Sequence, residues 1–201
     1  MAMTTPRTRQ TLLEKLKDRY DETSWLEFQA AYNPYILRIL RALKMNSHDC
    51  QDLQQNIMLI AWKSLPKFEY NPDRGSFRAW ISTVTRRETA HFIKKRQKTF
   101  VSLNSEDAEK LKDTLDNLSK PEIDDSITKE WQAFISEKAW GNIEPRFTGK
   151  VIEVFQRVTK GEDVEQIARD TGISESSVYV YKKRVLNSLQ KEILKLERDL
   201  G

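Results

Sequence analysis

Apolar residues along this chain recur at three- and four-residue steps and nowhere alternate for long, a pattern that predicts helices and no sheet. A first helix is expected over Thr11 to Tyr20. A second opens near Ser24 with Trp25, Phe28 and Tyr32 on one face. Pro34 is expected to interrupt it or to open the next, whose apolar face is Ile36, Leu37, Leu40 and Leu43. The capping-type run Asn46-Ser47-His48-Asp49 starts another helix, which continues to about Leu65 and stops at Pro66. Its core side reads Leu53, Ile57, Ile60 and Ala61. Gln51, Gln55, Met58 and Trp62 fall roughly opposite, so Met58 and Trp62 either meet a partner as an exposed apolar patch or lie under another helix of the same domain.

Farther on, Ser76 is placed to cap a helix whose Phe77, Trp80, Ile81 and Val84 share a face, and Phe77 and Trp80 read as core. From Thr99 to Ile127 the pattern lapses, and eight acids stand against three lysines, a local excess of five negative charges that marks an acidic tether. Beyond it a helix with Ile127, Trp131, Phe134, Ile135 and Ala139 ends near Gly141, and Arg146 to Lys160 reads as a further helix stopped by Gly161. The expected organisation is all-α: a helical domain over 1–98, an acidic linker over 99–127 and a second helical domain over 128–201.

The stretch VEQIARDTGISESSVYVYKKRVLNSLQ, Val164 to Gln190, has the spacing of a helix-turn-helix. Ala168 is small where two helices cross, Gly172 suits a left-handed turn, Ile173 plugs the corner and Ser174 caps the second helix. With Ile173, Val178, Tyr181 and Val185 inward, Glu175, Ser176, Tyr179, Val180 and Lys183 face outward toward a major groove, where serine and lysine can bond base edges and tyrosine and valine can touch thymine methyls. Ser177 joins that face, and Lys182 and Arg184 are better placed for phosphates.

Charge refines the picture. The 201 residues carry a net charge of +4, and 32% are charged. With a mean hydropathy of -0.68 and no apolar run near the length of about 20 residues that a spanning helix needs, no membrane insertion is expected. The amino terminus shows no secretion signal, so a cytoplasmic location is expected. A lone cysteine, Cys50, and two distant histidines leave no disulfide framework and no evident metal site, and no cofactor is expected. The basic residues Arg86, Arg87, Lys94, Lys95, Arg96 and Lys98 crowd the helix after Ser76. Aromatics beside such a track suit single-stranded nucleic acid, and the loop before the helix can hold a flipped base.

Two segments then carry a resemblance. DCQDLQQNIMLIAW, Asp49 to Trp62, and LPKFEYNPDRGSFRAWISTVTRR, Leu65 to Arg87, resemble the first domain of extracytoplasmic-function sigma factors, small two-domain specificity subunits of bacterial RNA polymerase. IEPRF and SVYVYKKRVLNSL, Ser177 to Leu189, resemble the second domain of one subgroup. The resemblance implies a region 2 helical bundle and a region 4 helix-turn-helix, with core polymerase, through its clamp and flap, and promoter DNA as partners. An anti-sigma protein is common in that family. It implies clamp binding by Gln51, Asp52, Gln55, Met58 and Trp62, although Asn56 stands where the family often has an acid. Lys67, Asn71, Asp73, Arg74, Ser76, Arg86, Arg87, Lys94 and Lys95 would face the −10 element, with Asn71, Asp73 and Arg74 as candidates for the base pocket. Glu175, Ser176, Ser177, Tyr179, Val180, Lys182, Lys183 and Arg184 would face the −35 element, and the acidic tether would thread toward the active-site and RNA-exit channels.

Two other classes fit the sequence less well. A stand-alone helix-turn-helix regulator would need a dimerisation or ligand module, which the amino half does not resemble. An enzyme would need catalytic groups, but Asp49 with Asp52 and Glu69 with Asp73 read as helix-start and turn residues, and neither His48 nor His91 has an evident catalytic partner, so no catalysis is expected.

Overall fold

Pro34 lies inside a helix, not at its edge. In a computed structural model, which describes residues 8–69, 76–100, 109, 112–116, 118 and 120–200, α1 (Thr8–Lys15) is followed by α2 (Glu22–Ala42), which runs unbroken through the proline. An internal proline costs about 3 kcal/mol. Phe28 and Tyr32 before it and Tyr35, Ile36, Ile39 and Leu40 after it are all buried, and each such side chain contributes about 1.5–3 kcal/mol. Packing therefore overrides the break expected at Pro34. The carboxylate of Asp21 caps the amino end of α2 by accepting from the Ser24 N–H at 3.0 Å. At the other end Lys44 takes φ 60°, and the Met45 N–H reaches back to the Leu40 carbonyl at 3.1 Å, the left-handed closure that glycine usually supplies.

The next helix, α3 (Ser47–Ser64), is capped by Asn46, which accepts from the Asp49 N–H at 2.9 Å. A single 3-10 turn, Leu65–Lys67, admits Pro66. α4 (Phe77–Phe100) opens under the Ser76 hydroxyl, which accepts from the Ala79 N–H at 3.2 Å. α2, α3 and α4 bury Leu53, Ile57, Ala61, Phe77, Ile81 and Ile93 between them. Phe77 is the aromatic hub: Phe28, Tyr32, Phe68 and Trp80 all hold their ring centroids within 6 Å of it. Cys50 is buried, and that burial pushes its thiol pKa up.

By compactness the chain divides into Met1–Phe134 with Asp199–Gly201, and Ile135–Arg198. α5 (Pro121–Ile143) crosses that division, starting earlier than the expected helix and passing through Gly141. Its first half packs in the amino-terminal unit, where Trp131 meets the Tyr35 ring edge-on at 4.8 Å. The last part of what reads as tether from its charge, Pro121 to Ile127, is therefore helical, continuous with a helix anchored by the buried Ile127, Trp131 and Phe134.

In the second unit a 3-10 turn, Glu144–Arg146, leads to α6 (Gly149–Thr159), α7 (Val164–Thr171) and α8 (Glu175–Leu200), of which only Asp199 and Leu200 fall in the first unit. Val154, Ile167, Ala168 and Val178 form one buried cluster, and Ile143, Val151, Phe155 and Val185 form another. Tyr181 packs against both. The described residues are helix and turn without strands, as the apolar spacing predicts, and no helix among them is long and apolar enough to cross a membrane.

Candidate nucleic-acid and polymerase interfaces

The outer face of α3 begins with Gln51, Asp52 and Gln55, all exposed. Below them Trp25, Gln29 and Asn33 of α2 and Gln54, Gln55, Met58, Leu59 and Trp62 of α3 line a surface cleft of about 530 Å³. Met58 does not project from this face: only 6% of it is exposed. Of the two alternatives open for Met58, cover within the domain is the one the structure shows. Successive helix positions are 100° apart, and that rotation carries Met58 under α2 while the neighbouring Leu59 turns outward, 47% exposed. Trp62 is half-buried, with the Arg19 guanidinium 5.0 Å above its ring. Leu59, one helical turn from both Gln55 and Trp62, is the residue that sequence reasoning missed, because an isolated leucine in a helix reads as core.

On α4 the basic residues divide between two jobs. Arg87, Lys94 and Lys95 lie on the exposed side with His91, and Glu88 contacts both Arg87 at 3.2 Å and His91 at 3.8 Å. Arg96 instead ion-pairs with the buried Asp49 at the start of α3, where Asn46 also donates to the same carboxylate oxygen at 2.7 Å. Arg86, expected to face nucleic acid, is occupied: it donates to the Leu118 carbonyl at 2.7 Å and ion-pairs with Asp124. Arg78, which sequence reasoning did not single out, lies 5.1 Å from the centroid of the Trp131 ring. Its signal was its spacing: Arg78, Ser82 and Arg86 stand four residues apart on one stripe of α4. Lys67 is exposed and Ser76 partly so; Asn71, Asp73 and Arg74, the candidates for a base pocket, lie outside the described residues.

In the second unit the turn between α7 and α8 has the geometry its sequence predicts. Gly172 takes φ 65° and ψ 35°, a left-handed conformation that L side chains enter at a cost, and the Ile173 N–H closes the turn on the Ala168 carbonyl at 3.1 Å. The Ser174 hydroxyl accepts from the Ser177 N–H at 3.2 Å and lies 2.8 Å from the hydroxyls of Ser176 and Ser177. Val178 and Val185 are buried, Ser176, Tyr179, Val180 and Lys183 are exposed on the opposite side of α8, and Glu175 and Arg184 are exposed at its flanks. Ser177 and Lys182 sit at its edges, partly covered. Arg184 is stacked on Phe147, its guanidinium 5.6 Å from the ring centroid. An exposed helix with hydroxyl, ammonium and apolar groups in one row has the chemistry that reads base edges in a major groove.

Comparison with known families agrees with this geometry. Residues 28–99, from α2 through α4, match the family model for sigma-70 region 2, and residues 146–192, containing the helix-turn-helix, match that of bacterial regulatory proteins of the luxR family. Neither the curated proteins nor the solved structures contain a match. The chain thus carries a sigma-70 region 2 domain followed by a LuxR-type DNA-binding helix-turn-helix domain, a pairing consistent with an ECF-type sigma factor of the sigma-70 family.

Proposed function

We propose that this protein binds core RNA polymerase, directs it to particular promoters and helps to open their −10 region. The observation that carries the reading is that the region 2 match covers α2, α3 and α4, the helices that build both the α3 cleft and the basic side of α4. In this reading the cleft and the exposed Gln51, Asp52 and Gln55 receive the polymerase clamp. Lys67, the following loop and the exposed Arg87, Lys94 and Lys95 hold the melted strand, where stacking at about 1–3 kcal/mol per base offsets an unstacking cost of a few kcal/mol. The first residues of α8 read the −35 element, and the helix-turn-helix domain lies against the polymerase flap. An anti-sigma protein that covers these surfaces would hold the chain inactive.

The test is transcription in vitro with purified bacterial core polymerase on a genomic promoter library, sequencing RNA start points. New starts sharing spaced −35 and −10 motifs are expected. No new starts from folded protein would favour a second reading, a DNA-binding regulator that acts without joining polymerase, for which the luxR-family match is the supporting observation. That regulator would bind duplex promoter DNA by itself, whereas a sigma factor acquires specificity with core polymerase.

A further inference from the structure

One segment of the amino-terminal unit meets a whole stripe of α4 with groups that a nucleic-acid strand also presents. Arg86 is bonded by the Leu118 carbonyl and the Asp124 carboxylate. Two turns earlier, Arg78 lies against the Trp131 ring. Between them Ser82 hydrogen-bonds the Tyr35 hydroxyl at 2.9 Å, and Tyr35 in turn packs on Trp131 and Phe134. A third arginine, Arg38 of α2, is 3.6 Å from Glu130. Carboxylates on guanidinium groups and an indole against another are the contacts that phosphates and a base would make.

We propose that the Leu118 carbonyl and Asp124 form an intramolecular latch on Arg86, in the place of a phosphate of single-stranded DNA, and that strand binding displaces it. The proposal rests on the reading of α4 as the strand-facing helix. The two ends of the segment differ in how firmly they are held. Ile127, Trp131 and Phe134 recur at three- and four-residue steps and are buried, so this end is anchored by apolar contact. Asp124 lies on the same stripe one turn nearer the start of α5, but its side chain is 68% exposed. An exposed pair of this kind is worth only about 0–1 kcal/mol and weakens in salt. The Asp124 carboxylate can therefore let go of Arg86 while Leu118 and the Trp131 end stay packed, both buried, and a strand offering several phosphates outcompetes one carboxylate and one carbonyl.

The test uses the full-length chain and a fluorescein-labelled single-stranded oligonucleotide, followed by anisotropy at low and moderate salt. Asp124→Asn is expected to tighten binding by about three- to fivefold at low salt, the equivalent of a surface ion pair, and by less in higher salt. Asp125→Asn removes the same charge one residue away from a side chain not bonded to Arg86, and is expected to change binding little. Adding Arg86→Ala to Asp124→Asn should abolish the gain, with thermal unfolding confirming that each variant is folded. Equal effects of Asp124→Asn and Asp125→Asn would reduce the latch to general charge repulsion and overturn it. No change with Asp124→Asn, or no binding by any form, would overturn it too. The assay contains no polymerase, so such a failure alongside promoter-directed transcripts would remove the latch alone, whereas absent transcripts would count against the sigma reading.

Discussion

Arg157 at the end of α6 reaches across to Asp170 of α7, its Nη2 donating to the carboxylate at 2.6 Å, while its Nε donates to Glu162 at 2.7 Å. One guanidinium thereby joins α6, the loop after it and α7, the first helix of the helix-turn-helix. The bond from Arg157, followed by one from Gln166, holds the Asp170 carboxyl below its ordinary value of 3.8. A depressed carboxylate stabilises the fold only while it is ionised. Its contribution is complete above the ordinary value and disappears as pH falls through the lower folded one. Thermal unfolding against pH should therefore show wild type more stable than Asp170→Asn at neutral pH, with the two curves converging in acid below the ordinary carboxylate range.

Two left-handed positions should respond in opposite directions. Gly172 takes φ 65°, and an added Cβ would meet nothing within 4 Å, so Gly172→Ala incurs only the backbone cost, about 1–2 kcal/mol. Lys44 already bears that cost at φ 60°, and Lys44→Gly is expected to recover up to about 1 kcal/mol. Chemical denaturation of both variants checks the pair.

On the proposed reading of the α3 cleft, Leu59 serves binding and Met58 serves packing. Leu59→Asp, at an exposed position, should leave the melting temperature nearly unchanged and weaken binding to core polymerase at least about tenfold, as loss of an interface hot spot does. Met58→Ala should instead lower stability by about 2–5 kcal/mol, the usual range for truncating a buried methionine. Polymerase affinity and unfolding, measured on both proteins, would show whether the two effects separate this way.

Base readers and phosphate binders on α8 should differ in kind. Lys183→Ala is expected to relax preference at one position of the −35 element by about 1–3 kcal/mol. Lys182→Ala should weaken binding to all sequences alike and reduce the salt slope by about one. Binding of the polymerase-bound protein to a randomised promoter set, at two salt concentrations, distinguishes these outcomes.

Much of the second unit was legible because its signals are local. Ala168, Gly172, Ile173 and Ser174 each specify a backbone conformation or a close approach within a few residues of themselves, and the turn follows wherever the rest of the chain goes. The amino-terminal unit was less legible at single residues. Met58 and Leu59 differ by one step of rotation, and which of them faces out depends on where α2 lies, a long-range matter. Arg86 and Arg96 read as members of one basic track, yet Asp49 and Asp124, distant in sequence, draw both into intramolecular pairs.

Helical periodicity, the helix caps at Asn46 and Ser76, the left-handed turn at Gly172 and the family-like motifs are properties of short stretches, and the sequence alone determined them. Tertiary structure decided that α2 passes through Pro34, that α5 begins inside the acidic stretch, and which arginines of α4 are occupied. The physical reason is that these outcomes set one local preference against another. A proline's missing N–H or a carboxylate's hydration is overcome only by apolar side chains and guanidinium groups that the fold brings from elsewhere in the chain.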